Sequence, residues 1–153
     1  MKRSPQYSAL NYVLYLLAKR DYAEVELRRK LAQKEYSSEE IEQAIAKALE
    51  HNWLNEARFC AGFIRYRAQQ GYGPRRLYQE LQQKGVESWL IEQMLDECEV
   101  DWFELAERVF HKKRPTVWDF KAKGKMWRYM ISRGFESDHF TYLLDEDWNE
   151  DDE

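Results

Sequence analysis

The chain is poor in the residues that punctuate β-structure. Six glycines and three prolines in 153 residues are too few turn-formers for a many-stranded sandwich or barrel. Two cysteines, Cys60 and Cys98, make no disulfide framework, so a cytoplasmic location is the default expectation. There is no run of about 18 apolar residues, and no membrane-spanning helix is expected. The opening stretch, MKRSPQYSALNYVLYLLAKR, has basic flanks and an apolar middle. Asn11, Tyr12 and Tyr15 interrupt it and no small-residue cleavage site follows, so it reads as a first helix rather than a signal peptide. His51, His111 and His139 are isolated from one another, and no C-x-x-C or H-x-x-x-H pair occurs, so no metal site is expected. Nucleophile elbow, P-loop and dinucleotide fingerprint are missing too, and neither cofactor nor enzyme activity is expected. Cys60 falls on the apolar side of a predicted helix, where inert buried thiols are common.

Hydrophobic residues are 44% of the chain and charged residues 34%, a balance that excludes a simple disordered chain. The formal charge of −4 hides a segregation. The last nine residues, DEDWNEDDE, hold seven acids and no base, so residues 1–144 carry 24 bases against 21 acids. Residues 108–134 contain Arg108, Lys112, Lys113, Arg114, Lys121, Lys123, Lys125, Arg128 and Arg133 against the single acid Asp119, whereas 86–104 carries seven acids and no base. Local potentials of both signs follow from such a division. An acidic tail of this kind can compete intramolecularly with polyanions for the basic segment.

The strongest pattern is an internal repeat. LRRKLAQKEYSSEEIEQAI from Leu27, LYQELQQKGVESWLIEQML from Leu77 and MWRYMISRGFESDHFTYLL from Met126 superpose. Leu27, Leu77 and Met126 open the copies, and Leu31, Leu81 and Met130 follow at i+4. Tyr36, Val86 and Phe135 mark a turn. Ile41, Ile91 and Phe140 come next, then Ile45, Leu95 and Leu144 at i+4. Lys34, Lys84 and Arg133, and the serines 38, 88 and 137, agree as well. Apolar agreement alone is weak, but turn chemistry shared at the same offsets is hard to obtain by chance.

Each copy therefore reads as helix, turn, helix. Gly85 and Gly134 are placed to close the first helix in the left-handed conformation. Glu35 takes that position in the first copy, at a cost of about 1 kcal/mol if the conformation is kept. Ser38, Ser88 and Ser137 are candidate N-caps of the second helix, and Pro74 suits the first position of its helix. A further helix precedes each pair, over about 8–19, 55–69 and 101–112; the link KKRPTVWDFKAKGK is the least regular. The expected fold is all-α: three tandem three-helix repeats, about nine helices, over 1–52, 53–99 and 100–146, with an acidic tail at 147–153. Units this small must share a core with their neighbours, which predicts an elongated, curved array.

With the repeat established, the chain resembles the RecX family, bacterial modulators of the RecA recombinase. WLNEARFCAGFIRYR, GYGPRRLYQELQQKGV and SRGF carry the resemblance. The family's Leu-Asp/Asn-Asp-x-Arg-Phe-Ala stretch reads here Leu54-Asn55-Glu56-Ala57-Arg58-Phe59-Cys60, with mild departures at Glu56 and Cys60. Gly71, Gly73, Leu77, Glu80, Leu81, Lys84 and Gly85 match its Gly-x-Gly, Glu-Leu and Lys-Gly positions. The resemblance spans nearly the whole chain. It implies a cytoplasmic, non-enzymatic regulator that binds RecA filaments on DNA and restrains filament growth, ATPase activity and strand exchange, within DNA repair and the SOS response; the chain itself is expected to be a monomer.

Two basic surfaces are candidates for contact with RecA or DNA. One is Lys112, Lys113, Arg114, Lys121, Lys123, Lys125 and Arg128, interleaved with Trp118, Phe120, Trp127 and Tyr129. Such a mixture can neutralise phosphates and stack bases, giving weak direct DNA binding through 108–134. For Trp127 and Phe120, packing into the third repeat's core is the heavier reading; for the lysines, a solvated face weighs equally. The other surface is Arg58, Arg65, Arg67, Arg75 and Arg76, suited to phosphates or to carboxylates. Intramolecular pairing with the acids of 86–104 weighs equally there. The rival function is a helix-turn-helix DNA reader acting without RecA, although no unit offers a clearly basic recognition helix.

Overall fold

The computed structural model describes residues 7–145. Among them lie nine α-helices, one 3-10 turn and no strand. The first repeat contains α1 (Ala9–Lys19), α2 (Glu24–Gln33) and α3 (Ser38–Glu50). The second contains α4 (Glu56–Gln69), α5 (Pro74–Gln83) and α6 (Ser88–Glu97). The third contains α7 (Trp102–Lys113), α8 (Phe120–Ser132), a 3-10 turn at Ser137–His139 and α9 (Thr141–Leu144). The acidic tail lies outside the described residues.

The repeated apolar residues are mostly core, although Ile41, Leu95 and Leu144 are only half-buried and Leu143 takes the fully buried place in α9. Leu27, Leu31, Leu77, Leu81, Ile91, Met130, Phe135 and Phe140 are fully buried, and Ile45 and Met126 nearly so. The three turns close identically. The N–H groups of Tyr36, Val86 and Phe135 donate to the carbonyls of Leu31, Leu81 and Met130 at 3.3, 3.1 and 3.2 Å. The residue before each donor is left-handed: Glu35 at φ 69°, Gly85 at 86° and Gly134 at 100°. This is a Schellman closure with its usual apolar contact between the donor residue and the helix it caps.

The helix starts lie one residue earlier than the aligned serines. Ser37, not Ser38, caps α3: its hydroxyl accepts from the Glu40 N–H at 3.1 Å while the Glu40 carboxylate accepts from the Ser37 N–H at 2.9 Å. Ser37 has a glutamate three residues on, as a capping box requires, and Ser38 has Ile41. Ser88 and Ser137 likewise stand at the first position inside their elements. The link before the third copy is also shorter than expected. Asp119 accepts from the Ala122 N–H at 2.8 Å and starts α8 at Phe120, so the lysines of KAKGK are helical.

The chain packs as two compact units. Among the described residues, one combines 7–62 with 81–94, the other 63–80 with 95–145. The second repeat is thus divided. In the first unit, Leu54 joins Val13, Leu16, Leu27, Leu31 and Ile45 in one core. In the second, Ala68 joins Leu105, Phe110, Met126, Met130, Phe135, Phe140 and Leu143.

Candidate functional site

Helix α8 brings three of the predicted lysines to one place. Lys121, Lys125 and Tyr129 recur at i+4, so they form one stripe along the helix. With Ala122 and Met126 they make one wall of an open cleft of about 360 Å³. Lys113 at the end of α7, then Pro115, Val117 and Asp119 in the link, make the other. The Lys113 ammonium stands 5.2 Å from the Tyr129 ring centre. Three cations against one carboxylate, with apolar surface between them, suit a ligand that is both anionic and apolar or aromatic.

The remaining residues of this basic segment are dispersed. Arg114 lies 4.7 Å from the Trp118 ring, itself packed edge-on against Phe110 at 5.7 Å. Lys112 and Arg128 are exposed and Lys123 is half-buried, and none of the three lines the cleft. The core reading of Phe120 does not hold: its side chain is 91% exposed. As the first residue of α8, it stands outside the face defined by Met126 and Met130. Trp127 is 38% exposed and packs edge-on against Phe140, ring centres 5.2 Å apart.

The arginine surface is largely engaged internally. Arg58 donates to Asp21 at 2.8 Å and to the carbonyl of Trp53 at 2.9 Å. Arg67 grips both carboxylate oxygens of Glu80, at 2.9 and 2.7 Å, and Arg76 adds a third contact at 3.1 Å. The hydrogen bond from Arg67 is the main reason that the Glu80 carboxyl is held below the usual range, with Arg76 acting in the same direction. The carboxylates that hold these arginines are therefore Asp21 and Glu80, outside the 86–104 segment. Arg65 and Arg75 are exposed and, among the described residues, make no ion pair.

Sequence reasoning missed the residue that organises this second group. The Tyr72 ring, held out between Gly71 and Gly73, has the guanidinium carbons of Arg133, Arg67 and Arg76 at 3.9, 4.0 and 4.5 Å from its centre. Arg133 also donates to the carbonyls of Gln70 and Gly71, at 2.6 and 3.1 Å. In return, the N–H groups of Gly73 and Arg75 donate to the carbonyls of Arg133 and Gly134, at 2.8 and 2.9 Å. The start of α5 and the end of α8 thereby satisfy each other's unpaired backbone groups. The available signal was an aromatic residue flanked by two glycines, which must stand on a turn. Cys60 is fully buried, and burial pushes its thiol up to about 11, so it stays protonated and unreactive at neutral pH.

Comparison with known proteins agrees with this architecture. Three family models match in order: the RecX first three-helix domain over residues 9–47, the second over 55–95 and the third over 103–144. The chain is 66% identical over 144 residues to a regulatory protein RecX of Actinobacillus pleuropneumoniae serotype 5b (strain L20), covering 94% of this chain and 95% of that one. It is 57% identical over 141 residues to the Haemophilus ducreyi regulatory protein RecX, covering 92% and 93% of the two chains. A crystal structure of a regulatory protein RecX, only 21% identical, superposes with a TM-score of 0.76 over 90% of this chain and 70% of that one, a likeness of fold. Tandem three-helix repeats, matched domain by domain and carried by relatives of nearly the same length, place this chain in the RecX family of regulatory proteins.

Proposed function

We propose that the chain is a cytoplasmic, monomeric, non-enzymatic regulator of the RecA recombinase, which binds RecA–DNA filaments and restrains their growth, ATPase activity and strand exchange. Family membership along nearly the whole chain supports the partner. The observation that carries the contact is the cleft of Lys113, Lys121, Lys125 and Tyr129, whose cations suit phosphate oxygens and whose ring suits an unstacked base. Lys112, Lys123 and Arg128 extend the positive field on the same two helices, and Arg65 on α4 and Arg75 on α5 are further exposed cations. Arg58, Arg67 and Arg76 serve the fold in this reading. Small patches on separate repeats gain effective concentration when several engage one filament.

A helix-turn-helix reader acting alone fits less well. In the third repeat the helix after the turn is α9, four residues with no base, while the bases lie on α8 before it. Titrating the protein against bare duplex and against RecA-coated DNA at several salt concentrations separates the two. The proposal expects much tighter binding to the coated DNA, with a shallow salt slope on the bare duplex. Equal or tighter sequence-specific binding to the bare duplex would overturn it.

A further inference from the structure

We propose that the cleft on the third repeat is also the docking site of the chain's own last eight residues, 146–153, which occupy it in competition with external polyanions. The cleft calls for a ligand with carboxylates or phosphates for Lys113, Lys121 and Lys125 and an apolar or aromatic group for Val117, Pro115, Met126 and Tyr129. Residues 146–153, EDWNEDDE, supply six carboxylates, one indole and no base.

Reach is sufficient. The described chain ends at Asp145, directly after α9. Leu143 and Leu144 of that helix pack in the same core as Met126, and Met126 also lines the cleft. The chain therefore leaves the fold beside the helix that forms the cleft wall. Three extended residues carry Trp148 about 10 Å past Asp145 and eight carry Glu153 about 28 Å, against roughly 20 Å for the length of α8. A tether this short gives an effective concentration on the order of millimolar, so weak contacts suffice to fill the cleft. Trp148 would lie against Tyr129 and Met126, with the flanking acids on the three lysines. The attraction is between partly exposed charges and is screened by salt. DNA phosphates would then have to displace the tail before using the lysines.

The test places a spin label at residue 150 of the full chain (Glu150→Cys in a Cys98→Ser background, Cys60 being buried) and reads amide signals by NMR. At low salt the signals of Val117, Lys121, Lys125 and Tyr129 should broaden selectively, and recover near 1 M salt, where the Debye length is about 3 Å. Uniform signals at low salt would overturn the proposal. So would broadening that appears when spin-labelled chain is mixed with separate isotope-labelled chain, because the tail would then bind a second copy. The competition is read with a fluorescein-labelled oligothymidine, in the absence of RecA. Changing the six tail acids to Asn and Gln should tighten its binding about tenfold at low salt; unchanged affinity would refute the competition.

Discussion

Tyr72 gathers three arginines of the second unit on one ring. Each such contact is worth about 0.5–1 kcal/mol at an exposed site. Tyr72→Leu is expected to lower stability by about 2 kcal/mol, measured by urea unfolding, while Arg75→Ala, two residues beyond, should leave it nearly unchanged. His139 supplies a pH dependence. Its Nδ1 accepts from the Glu136 N–H at 3.1 Å, and its ring lies edge-on to Phe103 at 4.9 Å. Burial pushes its pKa below the ordinary 6.5, against the weaker pull of Glu136 and Asp138. With the folded value lowered, the unfolded chain takes up the proton first, so stability falls as pH drops below about 6.5. His139→Asn keeps a short acceptor without the titration. Its stability relative to the parent should rise between pH 7 and 5, and a constant difference would contradict the assignment.

At the scale of elements, the three turns explain a difference among the repeats. A Cβ on Gly85 would meet Val25 Cγ2 at 2.5 Å, and one on Gly134 would meet the Arg76 backbone nitrogen at 2.6 Å. Val25 and Arg76 stand near the starts of α2 and α5, so each glycine turn lies against the helix start of the preceding copy. In the first copy Glu35 takes the same left-handed conformation. Gly134→Ala therefore combines backbone strain with a clash and should cost about 3 kcal/mol. Glu35→Gly should instead be neutral or stabilise by about 0.5 kcal/mol, since relief of strain outweighs the entropy of glycine. Thermal melts of the two variants check both signs. Helices and turns were legible because apolar spacing and turn glycines recur in all three copies. The start of α8 was not: Lys-Ala-Lys-Gly-Lys has no apolar periodicity, and Asp119 was the only cue to its cap. The core expectation for Phe120 failed for the same reason, since the residue opens α8 outside its buried face. The cleft was half legible, since a basic segment can be read along a chain, but which three of its lysines converge depends on how α7 and the link meet α8.

At the scale of the molecule, the repeat in the sequence and the unit of packing differ. The second repeat gives residues 53–62 and 81–94 to one compact unit and 63–80 and 95–99 to the other. Excised residues 53–99 should therefore be largely unstructured by circular dichroism, because Leu54 and Ala68 belong to cores completed by the first and third repeats. A cooperative melt of that fragment would show that each repeat folds unaided. The functional account rests on α8 and its lysines at the cleft. Its most direct test is the DNA-dependent ATPase of RecA, titrated with the parent chain and with the triple variant Lys113→Ala, Lys121→Ala and Lys125→Ala at equal helicity. The parent should inhibit well below one-to-one, and the variant should need about ten times more protein, as expected for three lost exposed charge contacts. Identical inhibition curves for the two proteins would contradict the account.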